Sequence, residues 1–395
     1  MKQQMEIRHK HIGWWLCSML MLLCWSCGGQ DTDTDTPDVE QGPFLEIKVY
    51  SPERSQVTRA DIGDIQGDTD EKTIHHMNIW VFEHHETGQT DDGFVGYLSV
   101  DNPDVDGRYR ILVSETFVDN PPAVDIYVTA NVTESNTGIK LDSKTRRDQL
   151  EAALIKHEGS HDPFGLTAPQ ATVPAGPDGG LPMSGVLKNQ PVEGMAPIVS
   201  VRTNVQVVRA VSKVRFVFCN GSIDDKQTLT INKITFDDGM IPTAEYLFLG
   251  ENEYNVGNTY ETGEDNKELV NTPIVVASYS SPTEYVYRDR DQTGQDYEDL
   301  INDGIGKNRL TPVGQFYLRE SDKKIEGTIS YTVTVGDSEK KLSARFAMSE
   351  AGGFSRNHTW IVYGFFAGKD NLKVFSVDVK GWSTLPEDDH EVYNW

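Results

Sequence analysis

The stretch GTISYTVTVGDSEKKLSARFAM, residues 327–348, carries the clearest structural pattern in the 395-residue chain. Apolar side chains alternate with polar ones along its first half, at Ile329, Tyr331, Val333 and Val335. This two-residue period is typical of a β-strand with one buried face. Gly336-Asp337 follows and suits the tight turn of a hairpin. The stretch therefore predicts a β-hairpin.

Most other apolar clusters also have the composition of strands. Three of them, residues 74–82, 126–132 and 205–218, are rich in Val, Ile and aromatic residues. The best helical candidate is DSKTRRDQLEAALIKH, residues 142–157. It offers Ser143 as a cap and an apolar stripe of Leu150, Ala153, Leu154 and His157. The predicted fold class is all-β with one short helix.

Proline and glycine interrupt the chain near its middle, between Thr167 and Pro197. Strand-like runs resume after this segment and continue to the end of the sequence. We therefore expect two β-rich domains with a boundary near residue 200, the first of which contains the short helix. A second loop-rich segment, residues 250–271, is acidic and is expected on the surface.

The first 26 residues have the pattern of an export signal, in which a basic start precedes an apolar run over residues 12–23. Cys27 stands where lipoprotein signal peptidase would cut and where the thiol would be acylated. Cys24 and Trp25 occupy positions that usually hold small or branched residues. An ordinary secretory signal, cut nearby, is therefore the alternative.

The segment after Cys27 is acidic and has no apolar period. Residues 30–43, QDTDTDTPDVEQGP, predict a solvated tether. An acidic patch behind a lipidated cysteine is also similar to the signal that sends lipoproteins to the outer face of the outer membrane in some Gram-negative anaerobes. A plain linker is the alternative.

Charge composition argues against binding of nucleic acid, and the few cysteines argue against stabilisation by disulfides. The chain has 36 basic and 61 acidic residues, a net charge of −25, and no basic stripe, so nucleic acid is not an expected partner. Of the four cysteines, Cys17 and Cys24 belong to the export signal and Cys27 is the lipidation candidate. Cys219 alone remains, and we expect it to be a small core residue.

The candidate chemical motifs are weak. Two histidine pairs, 75–76 and 84–85, invite a zinc site, but neighbouring residues on a strand point to opposite faces and no ligands stand at suitable spacing. Residues 289–300 resemble a calcium loop only in part, because Leu300 stands where a glutamate is needed. No catalytic motif is present. We expect no metal, no cofactor and no enzymatic activity.

The stretch FLEIKVYSPERSQVTRA, residues 44–60, combines two features that seldom adjoin. Leu45, Ile47 and Val49 alternate as in a half-buried strand. Arg54 and Arg59 follow at once in a segment that looks exposed and open to proteases. A good strand therefore stands beside a cleavable tail.

Several short pieces, in order along the chain, resemble the fimbrillins, the subunits of type V pili that include FimA-like major subunits. With Cys27, they are TRADI (58–62), IHHMNIWVF (74–82), IYVTANV (126–132), LPMSG (181–185), VVRAVSKVRF (207–216), GQFYLRES (314–321), RNHTWIVYGFF (356–366) and VYNW (392–395). Together they cover nearly the whole mature chain.

This resemblance implies two transthyretin-like, Greek-key β-sandwich domains in tandem, residues 60–199 and 200–395. It also implies that an arginine-specific protease removes residues 27–59 after export, with Arg59-Ala60 as the matching bond and Arg54 as a second possibility. Removal of Leu45, Ile47 and Val49 would uncover an apolar groove bordered by unpaired backbone groups, and such an edge recruits a strand from another chain.

The resemblance places the donated strand at the C-terminus. Phe375, Val377 and Val379 alternate on one face there, and the tail adds Val392 and Trp395. The implied partners are further copies of the chain, anchor and tip subunits, the protease and, before cleavage, a lipid anchor in the outer membrane. The implied location is first the outer membrane and then a surface fimbrium.

Two alternatives remain open at the level of sequence. One is a fimbrial tip subunit. The other is a surface lipoprotein that binds glycans, with some of Trp360, Trp382, Trp395 or the many tyrosines as stacking platforms.

Overall fold

The computed structural model describes residues 42–50, 74–85, 93–103, 107–156, 180–222, 227–250, 254, 256, 257, 259, 260, 262, 268–270, 272–278, 304–307, 309–348, 353–368 and 370–379. Strand is the main secondary structure in this part of the chain, so the predicted all-β fold class is confirmed. No helix among these residues is both long enough and apolar enough to cross a membrane.

The strands and helices are numbered in chain order. The strands up to residue 209 are β1 (Phe44–Tyr50), β2 (His76–Glu83), β3 (Phe94–Asp101), β4 (Arg108–Leu112), β5 (Val124–Ala130), β6 (Leu154–Lys156), β7 (Met183–Gln190), β8 (Val192–Met195), β9 (Ile198–Val201), β10 (Val205–Gln206) and β11 (Val208–Arg209). The strands that follow are β12 (Ser212–Asn220), β13 (Gln227–Phe236), β14 (Ala244–Tyr246), β15 (Glu268–Val270), β16 (Ile274–Val276), β17 (Thr311–Leu318), β18 (Ile325–Val335), β19 (Ser338–Met348), β20 (Thr359–Phe366) and β21 (Leu372–Val379). The helices are α1 (Glu115–Asp119), α2 (Glu134–Thr137) and α3 (Arg147–Glu151).

Two sheets form the first sandwich. In sheet I, β1 pairs with β4 on one side and with β9 and then β10 on the other, and β8 pairs with β9. Sheet II has the order β11-β7-β5-β2-β3. Their facing side chains form one apolar core that draws on β1, β4 and β9 from sheet I and on β2, β5 and β7 from sheet II. The inner strands of sheet II are covered on both faces by apolar clusters, which explains why every residue of β5 is buried.

Two further sheets form the second sandwich. Sheet III has the order β17-β12-β20-β21, and sheet IV has the order β15-β13-β18-β19 with β16 also paired to β13. Aromatic side chains interlock in the core between them, for example Phe216 and Phe346, whose rings meet edge to face at 5.2 Å.

The hairpin predicted at residues 327–348 is confirmed. β18 and β19 pair from Ile325↔Met348 to Val335↔Ser338, and Gly336 in the turn has φ 59°. Ile329, Tyr331 and Val333 are buried as the alternation predicts, whereas Val335 is 42% exposed. Val335 is the last residue before the turn, and so it lies beyond the cover of the facing sheet.

The predicted helix at residues 142–157 is mostly wrong. The helix α3 has only five residues and begins after Arg146, not after Ser143. β6 follows it and pairs antiparallel with β14. Leu150 and Ala153 are buried as predicted, but against the outer face of sheet II. Pairing with β14, some ninety residues further along the chain, thus prevails over local helical propensity.

The apolar run at residues 205–218 contributes to three sheets rather than one. β10 pairs with β1, β11 pairs with β7, and β12 lies inside sheet III. The division of the chain at residues 199 and 200 stays a prediction, and any division must allow for β10 and β11, which follow residue 200 and join the first sandwich.

Cys219 is buried in a small cluster with Ile361 and Tyr363, as predicted for a core residue. Burial raises the pKa of its thiol to about 11, although a hydrogen bond with Tyr363 acts in the opposite direction. Because the thiolate is the reactive form, a raised pKa leaves little of it at neutral pH.

We expect Cys219 to resist alkylation in the folded chain. With the export signal removed and Cys27 replaced by Ser, it is the only cysteine, so the mass of the intact protein after iodoacetamide treatment at pH 8 reports on it alone. Modification should be at least tenfold slower than in guanidinium chloride. Equal rates in the two conditions would contradict the burial of the thiol.

Candidate functional site

The first strand occupies a central position in sheet I. β1 pairs antiparallel with β4, from Phe44↔Leu112 to Lys48↔Arg108. On its other side it pairs parallel with β9 and then with β10. The backbone groups of β1 therefore have strands on both sides. We call the space that β1 fills between β4 and the pair β9 and β10 the slot.

The inner face of β1 belongs to the core of the first sandwich. Leu45 and Ile47 are completely buried, and Val49 is only 1% exposed. Burial of such side chains stabilises a fold by about 1.5–3 kcal/mol each. The strand predicted at residues 44–50 is therefore confirmed, and these three side chains are a continuous part of the core.

The outer face of β1 carries an ionic row. The carboxylate of Glu46 lies 3.2 Å from Arg108 and 3.3 Å from Arg110 on the neighbouring strand β4. Lys48 stands directly opposite Arg108 in the register, which sets two like charges side by side. The charge pattern of β1 is thus favourable at Glu46 and unfavourable at Lys48.

An apolar row crosses the outer face of sheet I at the N-terminal end of β1. It consists of four residues that are neighbours in the strand register: Leu112, Phe44, Ile198 and Met195. Three of them are exposed, Met195 by 85%, Leu112 by 52% and Ile198 by 37%, and Phe44 is half-buried between its neighbours. We call this set the apolar row.

The segments on either side of β1 that carry the predicted modification sites lie outside the described residues. These include the lipidation candidate Cys27, the cleavage candidates Arg54, Arg59 and Ala60, and the tether. Their roles stay predictions.

The last described strand lies at an edge. β21 pairs with β20 over eight positions, from Leu372↔Phe366 to Val379↔Thr359. It ends the strand order of sheet III, and its outer edge pairs with no strand in the described part of the chain. Leu372 is buried in the core of the second sandwich and Val374 packs against that core. An edge strand pairs with another strand on one side only, so fewer backbone hydrogen bonds break when it leaves than when a central strand does.

The proposed donor residues are described in part. Phe375, Val377 and Val379 occupy the alternate positions of β21, opposite Tyr363, Ile361 and Thr359 in the register. Val392 and Trp395 lie outside the described residues. The structure shows the backbone pairing of β21, and the donation itself stays a prediction.

Two of the candidate histidines lie beside carboxylates. His84 lies 2.7 Å from the buried carboxylate of Asp125, and His76 lies 2.8 Å from Asp101. Within the residues that the structure describes, no group of three or more potential ligands could hold a metal ion. The calcium-like loop at residues 289–300 lies outside them.

Trp360 cannot serve as a surface platform for sugars. Its side chain is 7% exposed and stacks on Phe354, with ring centroids 5.9 Å apart, inside the second core. This part of the glycan-binding alternative is wrong because a stacking platform must be accessible to the ligand. Trp382 and Trp395 lie outside the described residues.

A buried ionic cluster, which sequence reasoning missed, joins the two sandwiches. Arg356 lies 2.9 Å from Glu320 and 3.9 Å from Glu245, and all three side chains are at most 3% exposed. The guanidinium also donates to the carbonyl oxygens of Tyr246 and Leu247. Burial by itself lowers the pKa of Arg356, but the two carboxylates outweigh it and hold the pKa above its usual value. The cation is therefore permanent.

This cluster holds the segment that reaches across to the first sandwich. Ser184 of β7 donates to the carbonyl oxygen of Leu247, and the amide of Leu247 donates to Ala153. Phe248 packs edge to face on Tyr127, at 5.1 Å. No local signal could have revealed the cluster, because residues 245, 320 and 356 are far apart in the sequence.

The chain was also compared with known proteins. No family model and no curated protein matches it. Among solved structures it is similar to a candidate cell adhesion protein from Parabacteroides distasonis ATCC 8503, at 12% identity over 87% of this chain and 99% of that chain, with a TM-score of 0.48. It is also similar to the C-terminally truncated tip fimbrial protein Mfa3 from Porphyromonas gingivalis, at 12% identity over 85% and 99%, with a TM-score of 0.46.

A third similar structure is the fimbrial anchor protein Mfa2 from Porphyromonas gingivalis, at 10% identity over 86% of this chain and 98% of that chain, with a TM-score of 0.36. Because each of these TM-scores is below 0.5, none of the three likenesses assigns the chain to a family.

Proposed function

We propose that the chain is a polymerising structural subunit of a cell-surface fimbrium that supports adhesion. It is exported as an outer-membrane lipoprotein through Cys27, cut after Arg59 by an arginine-specific protease, and assembled by strand exchange between copies. The observation that carries this proposal is the contrast between two strands. β1 is central in sheet I and precedes two arginines, whereas β21 is an edge strand near the C-terminus.

Cutting after Arg59 separates β1 covalently from the rest of the sandwich. Once β1 leaves, the slot exposes the core beneath Leu45, Ile47 and Val49, together with backbone groups on both β4 and β9. Apolar surface in water is unfavourable, and the unpaired backbone groups form an edge with which another strand can pair. A strand from another copy restores both kinds of interaction, which supplies the driving force for polymerisation.

The same cut also controls timing. Before it, the lipid on Cys27 holds the subunit at the membrane, and β1 fills the slot that a donor would need. Cleavage therefore detaches the subunit and opens it for assembly in one step. Because release of a docked strand requires breaking its pairing along the whole slot, the polymer should be kinetically stable.

The experiment that tests this proposal is mass spectrometry of the N-terminus of subunits taken from surface filaments. A start at Ala60 is the expected result, and a start at Ser55 would mean that the bond after Arg54 is cut instead. Filaments whose subunits retain an acylated Cys27 and residues 44–50 would overturn the proposal.

Replacing both arginines, Arg54→Ala with Arg59→Ala, should block processing. We expect the precursor to stay in the outer membrane with its lipid and surface polymer to fall at least tenfold, because the slot stays filled. Immunoblots of sheared surface material measure this. Arg146→Ala, at a side chain that is 60% exposed beside α3, is the matched control and should leave assembly unchanged. Normal assembly of the double variant would rule out the proteolytic step.

A further inference from the structure

The two faces of the slot constrain how an incoming strand can lie in it. The inner face requires apolar residues at alternate positions, and residues 375, 377 and 379 have the same spacing as residues 45, 47 and 49. Two directions satisfy this requirement. In one, residue 375 takes the position of Leu45, and in the other it takes the position of Val49.

Charge does not separate the two directions. Departure of β1 removes Glu46, the ion partner of both Arg108 and Arg110 on the rim of the slot. If the incoming strand runs in the direction of β1, Asp378 takes the place of Lys48, opposite Arg108. In the reverse direction it takes the place of Glu46, opposite Arg110. Either direction returns an acid to the arginines.

The apolar row separates them. Phe44 fills the row between Leu112 and Ile198. In the direction of β1 its place is taken by Val374, which keeps the row apolar, whereas the reverse direction puts Lys380 there. The ammonium group of a lysine between Leu112 and Ile198 would replace the apolar contacts of Phe44 and would find no ion partner in either neighbour. The row therefore favours the direction of β1.

The end at which the donated strand is joined to its own copy determines what lies over the apolar row. β21 is joined to its own sandwich through residues that precede it, so a donated strand is tethered at its N-terminal end. In the direction of β1, that end emerges beside Leu112, Ile198 and Met195, the exposed members of the row. The body of the donating copy must begin there.

We propose that the donated strand runs in the direction of β1 with Val374 in the place of Phe44, and that the body of the donating copy covers the apolar row. This inference rests on the proposed function. It adds the direction and register of the donated strand, and it identifies the apolar row as the contact surface for a second copy of the chain.

Cysteine cross-linking in filaments tests the register. The amide of Val113 donates to Pro43, which makes residues 44 and 112 a closely spaced pair without mutual backbone hydrogen bonds. Val374→Cys with Leu112→Cys in the full-length chain should therefore form disulfides between copies when filaments are treated with diamide, which accepts the two electrons. Covalent ladders that survive boiling without reductant are expected.

A matched pair reports the reverse direction. Val374→Cys with Gln206→Cys should form no such ladder, because residue 206 neighbours residue 50 at the opposite end of the slot. Ladders from this pair, or from neither pair, in cells that still make filaments would overturn the register and leave the proposed function standing. Should the Leu112 variant not assemble, Ile198→Cys with Val374→Cys tests the same end of the slot.

Oxidation of Met195 tests the covered surface. Its side chain is 85% exposed in the single chain, so dilute peroxide should convert it to the sulfoxide at least fivefold faster in the uncut precursor than in filaments. Peptide mass spectrometry measures both rates. Equal rates would overturn the contact at the row, while an absence of filaments from cells that make the unaltered chain would overturn the proposed function itself.

Discussion

Ile47→Asp should destabilise the uncut chain by more than about 4 kcal/mol. Ile47 is completely buried in the middle of β1, and the core around it is apolar. A carboxylate at this position would lose its water and gain no partner there, so the docked state of β1 is penalised directly. Urea denaturation of the chain without its export signal measures the loss as a lower midpoint for the first sandwich.

The neighbouring residue provides a matched control for this prediction. Lys48→Asp introduces the same side chain on the outer face of β1, where Arg108 stands opposite. It replaces a like-charge pair with an opposite-charge pair, and we expect stability to stay within about 1 kcal/mol of the starting value. Equal losses at residues 47 and 48 would show that β1 is not docked with Ile47 inward.

Ile47→Asp also bears on assembly. If β1 prevents exchange only by filling the slot, a precursor whose first strand docks poorly should accept a donor before it is cut. Uncut Ile47→Asp chains would then polymerise with copies that donate β21, whereas uncut Lys48→Asp chains would not. Strict monomers of the Ile47→Asp chain beside polymers of the cleaved unaltered chain would mean that cleavage does more than empty the slot.

Arg356→Met should cost about 3–5 kcal/mol, because it removes the cation between two buried carboxylates. Glu245 and Glu320 are 0% and 2% exposed, and without Arg356 their repulsion is no longer balanced at that point. The carbonyl oxygens of Tyr246 and Leu247 also lose a donor. Thermal denaturation followed by circular dichroism, with the midpoint as the readout, checks the prediction.

The control is Arg345→Met, which removes the same side chain from an exposed pair with Asp237. The Arg345 side chain is 55% exposed, and surface ion pairs contribute at most about 1 kcal/mol. Comparable midpoints for the two variants would contradict the buried cluster. Replacing Glu245 and Glu320 with Gln beside Arg356→Met should recover part of the loss, because the repulsion between the carboxylates disappears.

Local patterns predicted the individual strands well. Alternation predicted β1 with Leu45, Ile47 and Val49 inward, and the hairpin of β18 and β19 with its turn at Gly336. Such features depend on residues within one strand or across one short turn, so their information is contained in a few neighbouring positions. Cys219 was predicted for the same reason, as a small residue within an apolar run.

Predictions that depended on distant partners were less successful. The helix at residues 142–157 shortened to α3 because β6 found a partner in β14. Trp360 was a candidate for the surface, but Phe354 and the second core cover it. In each case the deciding contact comes from another part of the chain, and no periodicity near the residue reports it.

The sequence by itself determined that β1 and β18 are strands and which of their faces is apolar, because a side chain's alternation along a strand is a local property. Only the tertiary structure decided that β1 is central and β21 lies at an edge, that the apolar row forms across four strands, and that Arg356 meets Glu320 and Glu245. Strand order and buried ion pairs depend on which distant segments meet when the core closes, and that choice is made by the free energy of the whole packed molecule.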